Sequence, residues 1–148
     1  GIGMDADTLV IGAMTTHHDV AHNDLVRQHL PGLAALANGI GDRQVRAMGT
    51  LGGSIANNDP AACYPSAVLA LNATVVTDRR RIAADDFFKG LYATALEEGE
   101  LITSIRFPAK QRCAYAKFKQ PASRFALVGV LPGAYTQVLL GGFIAWIT

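Results

Sequence analysis

The stretch with the densest chemistry runs from Ala47 to Pro60, A-M-G-T-L-G-G-S-I-A-N-N-D-P. It brings Gly49, Gly52 and Gly53 together with the hydroxyls of Thr50 and Ser54, the amides of Asn57 and Asn58, and the carboxylate of Asp59. Gly52 and Gly53 carry no Cβ, so the backbone there can turn tightly and a ligand can approach it closely. Consecutive backbone N–H groups in such a turn form a concavity that suits an anion. Thr50, Ser54 and Asn57 add side-chain donors, and the set could hold a phosphate or pyrophosphate. A Gly-Gly pair between Thr and Ser is also a common tight turn, and the motif alone favours that plain reading. It is neither a P-loop, since no Gly-Lys-Ser/Thr follows, nor G-x-G-x-x-G.

Other reactive side chains have weaker claims. His17, His18, Asp19 and His22 invite a metal, but there is no H-E-x-x-H pattern and no evident third ligand. A polar, solvent-facing helix explains them. Cys63 follows the Gly-rich stretch and could lie near a ligand, although most free cysteines are small buried residues. Asp85-Asp86 fits a helix start, where acidic side chains complement the dipole. Lys117 and Lys119 share one face of a strand and could meet a phosphate or an electron-rich ring. Solvated strand lysines are the commoner case. No Ser-His-Asp or Cys-His arrangement has local support.

The elements that would position these residues alternate between helix and strand. Thr8 to Met14 reads as a buried strand. Thr15-Thr16 offers an N-cap for a short helix ending near His22, broken by Asn23-Asp24. Leu25 to Leu30 gives a further helical turn. Pro31 opens a helix whose stripe of Leu33, Ala34, Leu36, Ala37 and Ile40 ends at Gly39 or Gly41. Asp42 to Val45 reads as a linker. After the Gly-rich stretch, Ala67 to Leu71 is a helix apolar on nearly every side. Thr74 to Thr77 and Arg81-Ile82 are strands joined by a turn, with Arg79-Arg80-Arg81 as a solvated basic run. Asp85 to Phe88 is a small helical turn ending at Gly90, and Glu97 to Glu100 a turn. Leu101 to Phe107, Ala114 to Lys119 and Phe125 to Val130 are strands. Without regular βαβ spacing, this pattern argues for an α+β domain with a mixed or antiparallel sheet and flanking helices.

The 148 residues suit one domain, or one and a fragment. Only 17% are charged, against about 25% in ordinary domains. A net charge of +1 argues against a nucleic-acid partner. Cys63 and Cys113 are too few for a disulfide framework or a cysteine-ligated iron–sulfur cluster. The apolar run Val138 to Ile147 is too short for a transmembrane helix, and nothing at the start resembles a signal peptide. The default expectation is a cytoplasmic protein. Residues 131–148 hold no charge and read as a terminal strand or a divergent, non-native tail.

Several segments, in order, resemble the FAD-binding (medium) subunit of molybdenum hydroxylases, the carbon monoxide dehydrogenase and xanthine dehydrogenase group. They are T-L-V-I-G-A-M-T-T-H-H-D-V-A, G-D-R-Q-V-R-A-M-G-T-L-G-G-S-I-A-N-N-D-P-A-A, D-D-F-F-K-G, E-L-I-T-S-I-R-F-P and Y-A-K-F-K-Q-P-A-S-R-F-A-L-V-G-V. The resemblance implies the second subdomain of a two-part FAD-binding fold. Residues 1–108 would be the C-terminal portion of that domain, 109–130 the start of a further flavoprotein domain, and 131–148 the divergent tail. It implies FAD as cofactor, with Thr50, Gly52, Gly53, Ser54 and Asn57 on the phosphates and neighbouring groups. Ile40, Ile102 and Lys119 would be further FAD contacts, and Asp59 would shape the loop. No catalytic residue and no metal ligand is expected in this chain. The partners implied are a large subunit holding the molybdenum cofactor and a small iron–sulfur subunit. Electrons would pass from the clusters to FAD and on to an external acceptor.

The sequence departs from the pattern where xanthine dehydrogenase relatives have an FAD-contacting Asp, since Cys63 stands there. The family's first, Gly-Gly-rich FAD motif is not found either. The isolated chain is therefore expected to be inactive alone. The rival expectation is an interaction or scaffold domain that keeps the fold but binds no FAD by itself.

Overall fold

Ile105 and Phe107 alternate with Ser104 and Arg106, and this two-residue period makes their strand the axis of the main sheet. In the computed structural model the chain runs β1 (Ile2–Asp5), β2 (Thr8–Gly12), α1 (His17–His22), α2 (Asp24–His29), α3 (Pro31–Asn38), α4 (Arg43–Met48), α5 (Leu51–Asn57), α6 (Tyr64–Ala70), β3 (Thr74–Thr77), β4 (Arg81–Ala83), α7 (Ala84–Phe87), β5 (Phe88–Gly90), β6 (Ala93–Thr94), β7 (Ile102–Pro108), β8 (Ala116–Lys119), β9 (Ala126–Pro132), β10 (Thr136–Leu140) and β11 (Phe143–Ile147). The structure describes residues 1–109, 113–119, 121, 126–132, 136–140 and 143–147. The side chains of Lys119 and of β9 to β11 lie outside that description.

The main sheet has the order β1-β2-β7-β3-β4, and every pairing in it is antiparallel. Its register sets Leu9 against Phe107, and Ile11 and Val75 against Ile105. Cross-strand partners point to one face, so these five fully buried side chains form a single apolar surface. Helix α3 contributes Leu33, Leu36 and Ala37 to the same core, and α6 is buried along its whole length. A second antiparallel sheet, β11-β10-β9-β8, lies against α6 through β9 and β10. The stretch read as a terminal strand or tail thus contains β10 and β11. The expected α+β class with an antiparallel sheet and flanking helices is the one observed. Among the described residues no helix is long and apolar enough to cross a membrane.

Several local expectations need correction. Asp42 to Val45 is not a linker, because Asp42 caps a helix over Arg43–Met48, its Oδ1 accepting the Val45 N–H at 2.9 Å. That helix buries no residue, so it leaves no apolar stripe to read. The helical turn after Asp85 ends at Phe87, and Phe88 already begins the small β5-β6 hairpin. Edge strand β1 and strand β6 were not foreseen. Their short spans carry too little alternation.

The basic run is not merely a solvated turn either. Arg80 donates through Nε and Nη2 to the two oxygens of Glu100, each at 2.9 Å, and Glu100 is 5% exposed. Glu100 also accepts from the Thr77 hydroxyl at 2.7 Å and the Glu97 N–H at 2.9 Å. The Arg80 hydrogen bonds first, then those of Glu97 and Thr77, hold its carboxyl down at about 2, below its ordinary 4.5. A carboxylate depressed in the folded state adds stability that is fully present above its unfolded pKa and is lost as pH falls through the folded one. The urea midpoint of Glu100→Gln should therefore lie below that of the natural chain at pH 6, with the gap narrowing between pH 4.5 and 2. A gap that stays constant over that range would show that Glu100 is not depressed.

Candidate functional site

The Gly-rich stretch, expected as a tight turn, folds as the start of a helix. Thr50 is the N-cap of α5, in extended geometry, and its Oγ1 accepts the Gly53 N–H at 3.1 Å. The preceding backbone is stitched to the exit of β2. His17 N–H donates to Gly49 O at 2.9 Å, Leu51 N–H to Thr15 O at 3.0 Å, and Gly52 N–H to Ala13 O at 2.8 Å. Ser54 N–H closes the first helical bond, to Thr50 O at 3.1 Å. Every amide of the first turn therefore has a partner within the protein. The expected concavity of free N–H groups is not formed.

The two glycines of the pair have separate duties. Gly52 is buried, and a Cβ on it would lie 2.5 Å from Ala13 Cβ and 2.9 Å from Ala13 O. It is glycine because α5 starts in contact with the end of β2, and it is not an open ligand contact. Gly53 is exposed, and a Cβ there would meet only the Thr50 hydroxyl, at 2.9 Å.

What remains for a ligand is the outer face of α5. Thr50 and Ser54 are four residues apart, as are Gly53 and Asn57, and such pairs share one helix face. Thr50 and Ser54 are half-buried, while Gly53 and Asn57 are exposed. The side chains of Ser54 and Asn57 make no hydrogen bond among the described residues. This strip is neutral, rich in donors and bare of side-chain bulk at Gly53. The hydroxyls of Thr50 and Ser54 lie at the positive end of the helix dipole, where they suit the oxygens of a phosphodiester, and the Asn57 amide lies at the far end of the strip. Ile102 opens β7 at the same place, since the next residue's carbonyl, Thr103 O, accepts the Ala13 N–H at 2.9 Å and α5 packs on β7. A separate open hollow of about 440 Å³ is lined by Met14, Thr15, His18 and Asn23 among others, and none of its lining residues belongs to α5 or β7. Met14 is 81% exposed.

The other expected residues lie elsewhere. Ile40 follows the end of α3 and is half-buried. Arg46 Nη1 donates to Ile40 O at 3.0 Å and Gly41 O at 3.1 Å, and Lys117 Nζ to Gly39 O at 3.1 Å. No hydrogen bond among the described residues joins this segment to α5. Asp59 Oδ1 accepts the Ala61 N–H at 2.8 Å, an Asx turn that shapes the loop after α5. Lys119 ends β8, and its side chain lies outside the described residues. Its strand neighbour Lys117 reaches inward to Cys63 Sγ at 3.4 Å.

Of the histidines, His18 and His22 are exposed and stacked at 4.2 Å, as a solvent-facing helix predicts. His17 breaks that expectation. It is buried, its ring lies 5.3 Å from that of Tyr64, its Nδ1 has no hydrogen-bond partner among the described residues, and burial lowers its pKa to about 4. No group of metal-binding side chains occurs among the described residues.

Sequence reasoning missed Asn58. It adopts the left-handed conformation (φ 45°) that ends α5, and its Nδ2 donates to Gly90 O at 2.7 Å and Ala93 O at 2.9 Å. It also accepts the Tyr92 N–H at 3.2 Å, so it fixes the β5-β6 hairpin to the helix. The signal was an Asn at a helix end, where it tolerates the left-handed region.

Comparisons with known proteins agree with this architecture. The family model described as the FAD binding domain in molybdopterin dehydrogenase matches residues 1–110. The chain is 41% identical over 126 residues to the glyceraldehyde dehydrogenase medium chain of Sulfolobus acidocaldarius, covering 81% of this chain and 45% of the relative. It is 40% identical over 136 residues to the carbon monoxide dehydrogenase medium chain of Hydrogenophaga pseudoflava, covering 87% and 47%. The solved carbon monoxide dehydrogenase from Hydrogenophaga pseudoflava, lacking the Mo-pyranopterin moiety of its cofactor, superposes with a TM-score of 0.84 at 37% identity, over 93% of this chain and 53% of that one. A cyanide-inactivated Cu,Mo-CO dehydrogenase gives 0.86 at 30% identity, over 99% and 57%. The chain spans about half the length of the relatives it matches. With a model match across most of its length and a fold shared with solved relatives, the chain belongs to the family of FAD-binding domains of molybdopterin dehydrogenases.

Proposed function

We propose that this chain holds FAD on the outer face of α5 as part of the medium subunit of a cytoplasmic molybdenum hydroxylase. The observation that carries the reading is the strip of Thr50, Gly53, Ser54 and Asn57, open and donor-rich, in a chain of this family. Thr50 and Ser54 would hold phosphate oxygens through their hydroxyls, and Asn57 would hold a neighbouring group through its amide. Gly52 would act indirectly, by letting α5 begin against β2. Ile102 at the same sheet end, and Ile40 and Lys119 from their own elements, would complete the contacts. Asp59 would keep the following loop in shape.

FAD supplies two-electron and one-electron redox chemistry when bound, and the protein's contribution is to bind and orient it. In the assembled enzyme the partners would be a large molybdenum-cofactor subunit and a small iron–sulfur subunit. The chain would then stand on the electron path between those clusters and an external acceptor. Residues 1–108 would form the FAD-binding part and 109–130 the start of the next domain.

A second reading is a folded interaction module that binds no FAD by itself. The full use of the first-turn amides of α5 within the protein favours it. Equilibrium dialysis of the chain against FAD separates the two. Saturable retention of one flavin per chain supports the first. No excess flavin on a chain that still unfolds cooperatively supports the second.

A further inference from the structure

We propose that Cys63 and Lys117 form an oxidation site at which a peroxide installs a reversible sulfur–nitrogen cross-link. Cys63 precedes α6 and is 5% exposed, and Lys117 on β8 brings its Nζ to 3.4 Å from the thiol. The lysine's other partner is a neutral carbonyl, Gly39 O at 3.1 Å, and no carboxylate pairs with it among the described residues. The Tyr115 hydroxyl is buried beside the same sulfur. Burial and the neighbouring thiol both push that phenol up, so it stays protonated as a donor. A nucleophilic thiol, an amine and a phenol thus meet in one partly closed place that the proposed flavin strip does not use.

The chemistry balances with hydrogen peroxide as oxidant. Peroxide oxidises the Cys63 thiol to a sulfenic acid and is itself reduced to water. Lys117 releases a proton to solvent, and its amine lone pair attacks the sulfur. The S–N bond forms as the S–O bond breaks, and the departing hydroxide takes up the proton that the nitrogen then loses, becoming a second water. Sulfenic acids condense with nitrogen in this way to give sulfenamides, which thiols reduce. The bond would join residues 54 apart in sequence, tying β8 to the start of α6. Cys113 provides an internal control. It is half-exposed, its sulfur lies against Gly32, and no lysine hydrogen-bonds to it among the described residues.

The test treats the folded chain with hydrogen peroxide, alkylates the remaining thiols and maps the peptides by mass spectrometry. The expected product is one cross-linked pair containing Cys63 and Lys117, lighter than the sum of its peptides by two hydrogens and released by dithiothreitol. Cys113→Ser should leave the yield unchanged. Lys117→Met should abolish the cross-link while Cys63 is still oxidised. The peptide map of the natural chain decides the question even if that variant folds poorly. Recovery of Cys63 as a thiol, as a sulfinic acid or in a disulfide with Cys113, with Lys117 unmodified, overturns the proposal.

Discussion

Gly52→Val is expected to destabilise the chain by about 3 kcal/mol or more, at the upper end of what overpacking costs. A Cβ at this position would lie 2.5 Å from Ala13 Cβ and 2.9 Å from the Ala13 backbone, where no flexible side-chain end can yield. The added methyl groups of valine make the conflict worse. Relief would require α5 to lift from β2, which would break the Gly52-to-Ala13 and Leu51-to-Thr15 backbone bonds. The gain from removing a helical glycine is at most about 1 kcal/mol and cannot offset this. Gly53→Ala is the milder comparison, because its new Cβ meets only the Thr50 hydroxyl, which must shift by a few tenths of an ångström from its cap position, and the helix propensity of alanine offsets that cost. Urea unfolding of the pair should show a large drop in midpoint for Gly52→Val and a change within about 1 kcal/mol for Gly53→Ala. Equal shifts would mean that the helix start is not packed as described.

Asn58→Leu should cost about 3–4 kcal/mol. Roughly 1 kcal/mol attaches to each of the two hydrogen bonds lost at Gly90 O and Ala93 O, and a further 1–2 kcal/mol to a branched side chain held at positive φ. Asn58→Gly isolates the second part, since it restores the left-handed backbone without restoring the bonds. The glycine variant should therefore recover part of the loss. Amide exchange at Tyr92, whose N–H donates to Asn58 O, should quicken in the leucine variant well before the core exchanges. Unchanged protection of Tyr92 would contradict the anchoring role.

Legibility in the sequence followed the strength of the local pattern. β2 and β3 could be read because TLVIG and TVVT are short apolar runs rich in β-branched residues, and β7 because ITSIRFP alternates. α3 could be read from Pro31 and its apolar stripe. α4 could not, since it buries nothing and rests on one Asp cap. The Gly-rich stretch was found, but its geometry was not. Two adjacent glycines look alike in sequence, whereas Gly52 answers to Ala13, a residue 39 positions earlier, and Gly53 only to the Thr50 hydroxyl of its own helix cap. Lys117 and Lys119 share parity on β8, so the inward reach of Lys117 to Gly39 and Cys63 depends on packing that periodicity does not encode. The same holds for His17, which sits in a short run of polar residues but is buried by Tyr64 from another helix.

The central claim is that the outer face of α5 holds FAD, and the most direct measurement is a side-by-side FAD titration of the natural chain and Ser54→Trp, followed by flavin fluorescence. Ser54 is half-buried and makes no side-chain hydrogen bond among the described residues, so the indole adds bulk over the strip without removing a cap. The account predicts saturable binding to the natural chain and at least about a tenfold loss of affinity in the variant, equivalent to about 1.4 kcal/mol, with the unfolding midpoint nearly unchanged. Equal affinity of the two chains for FAD would contradict it.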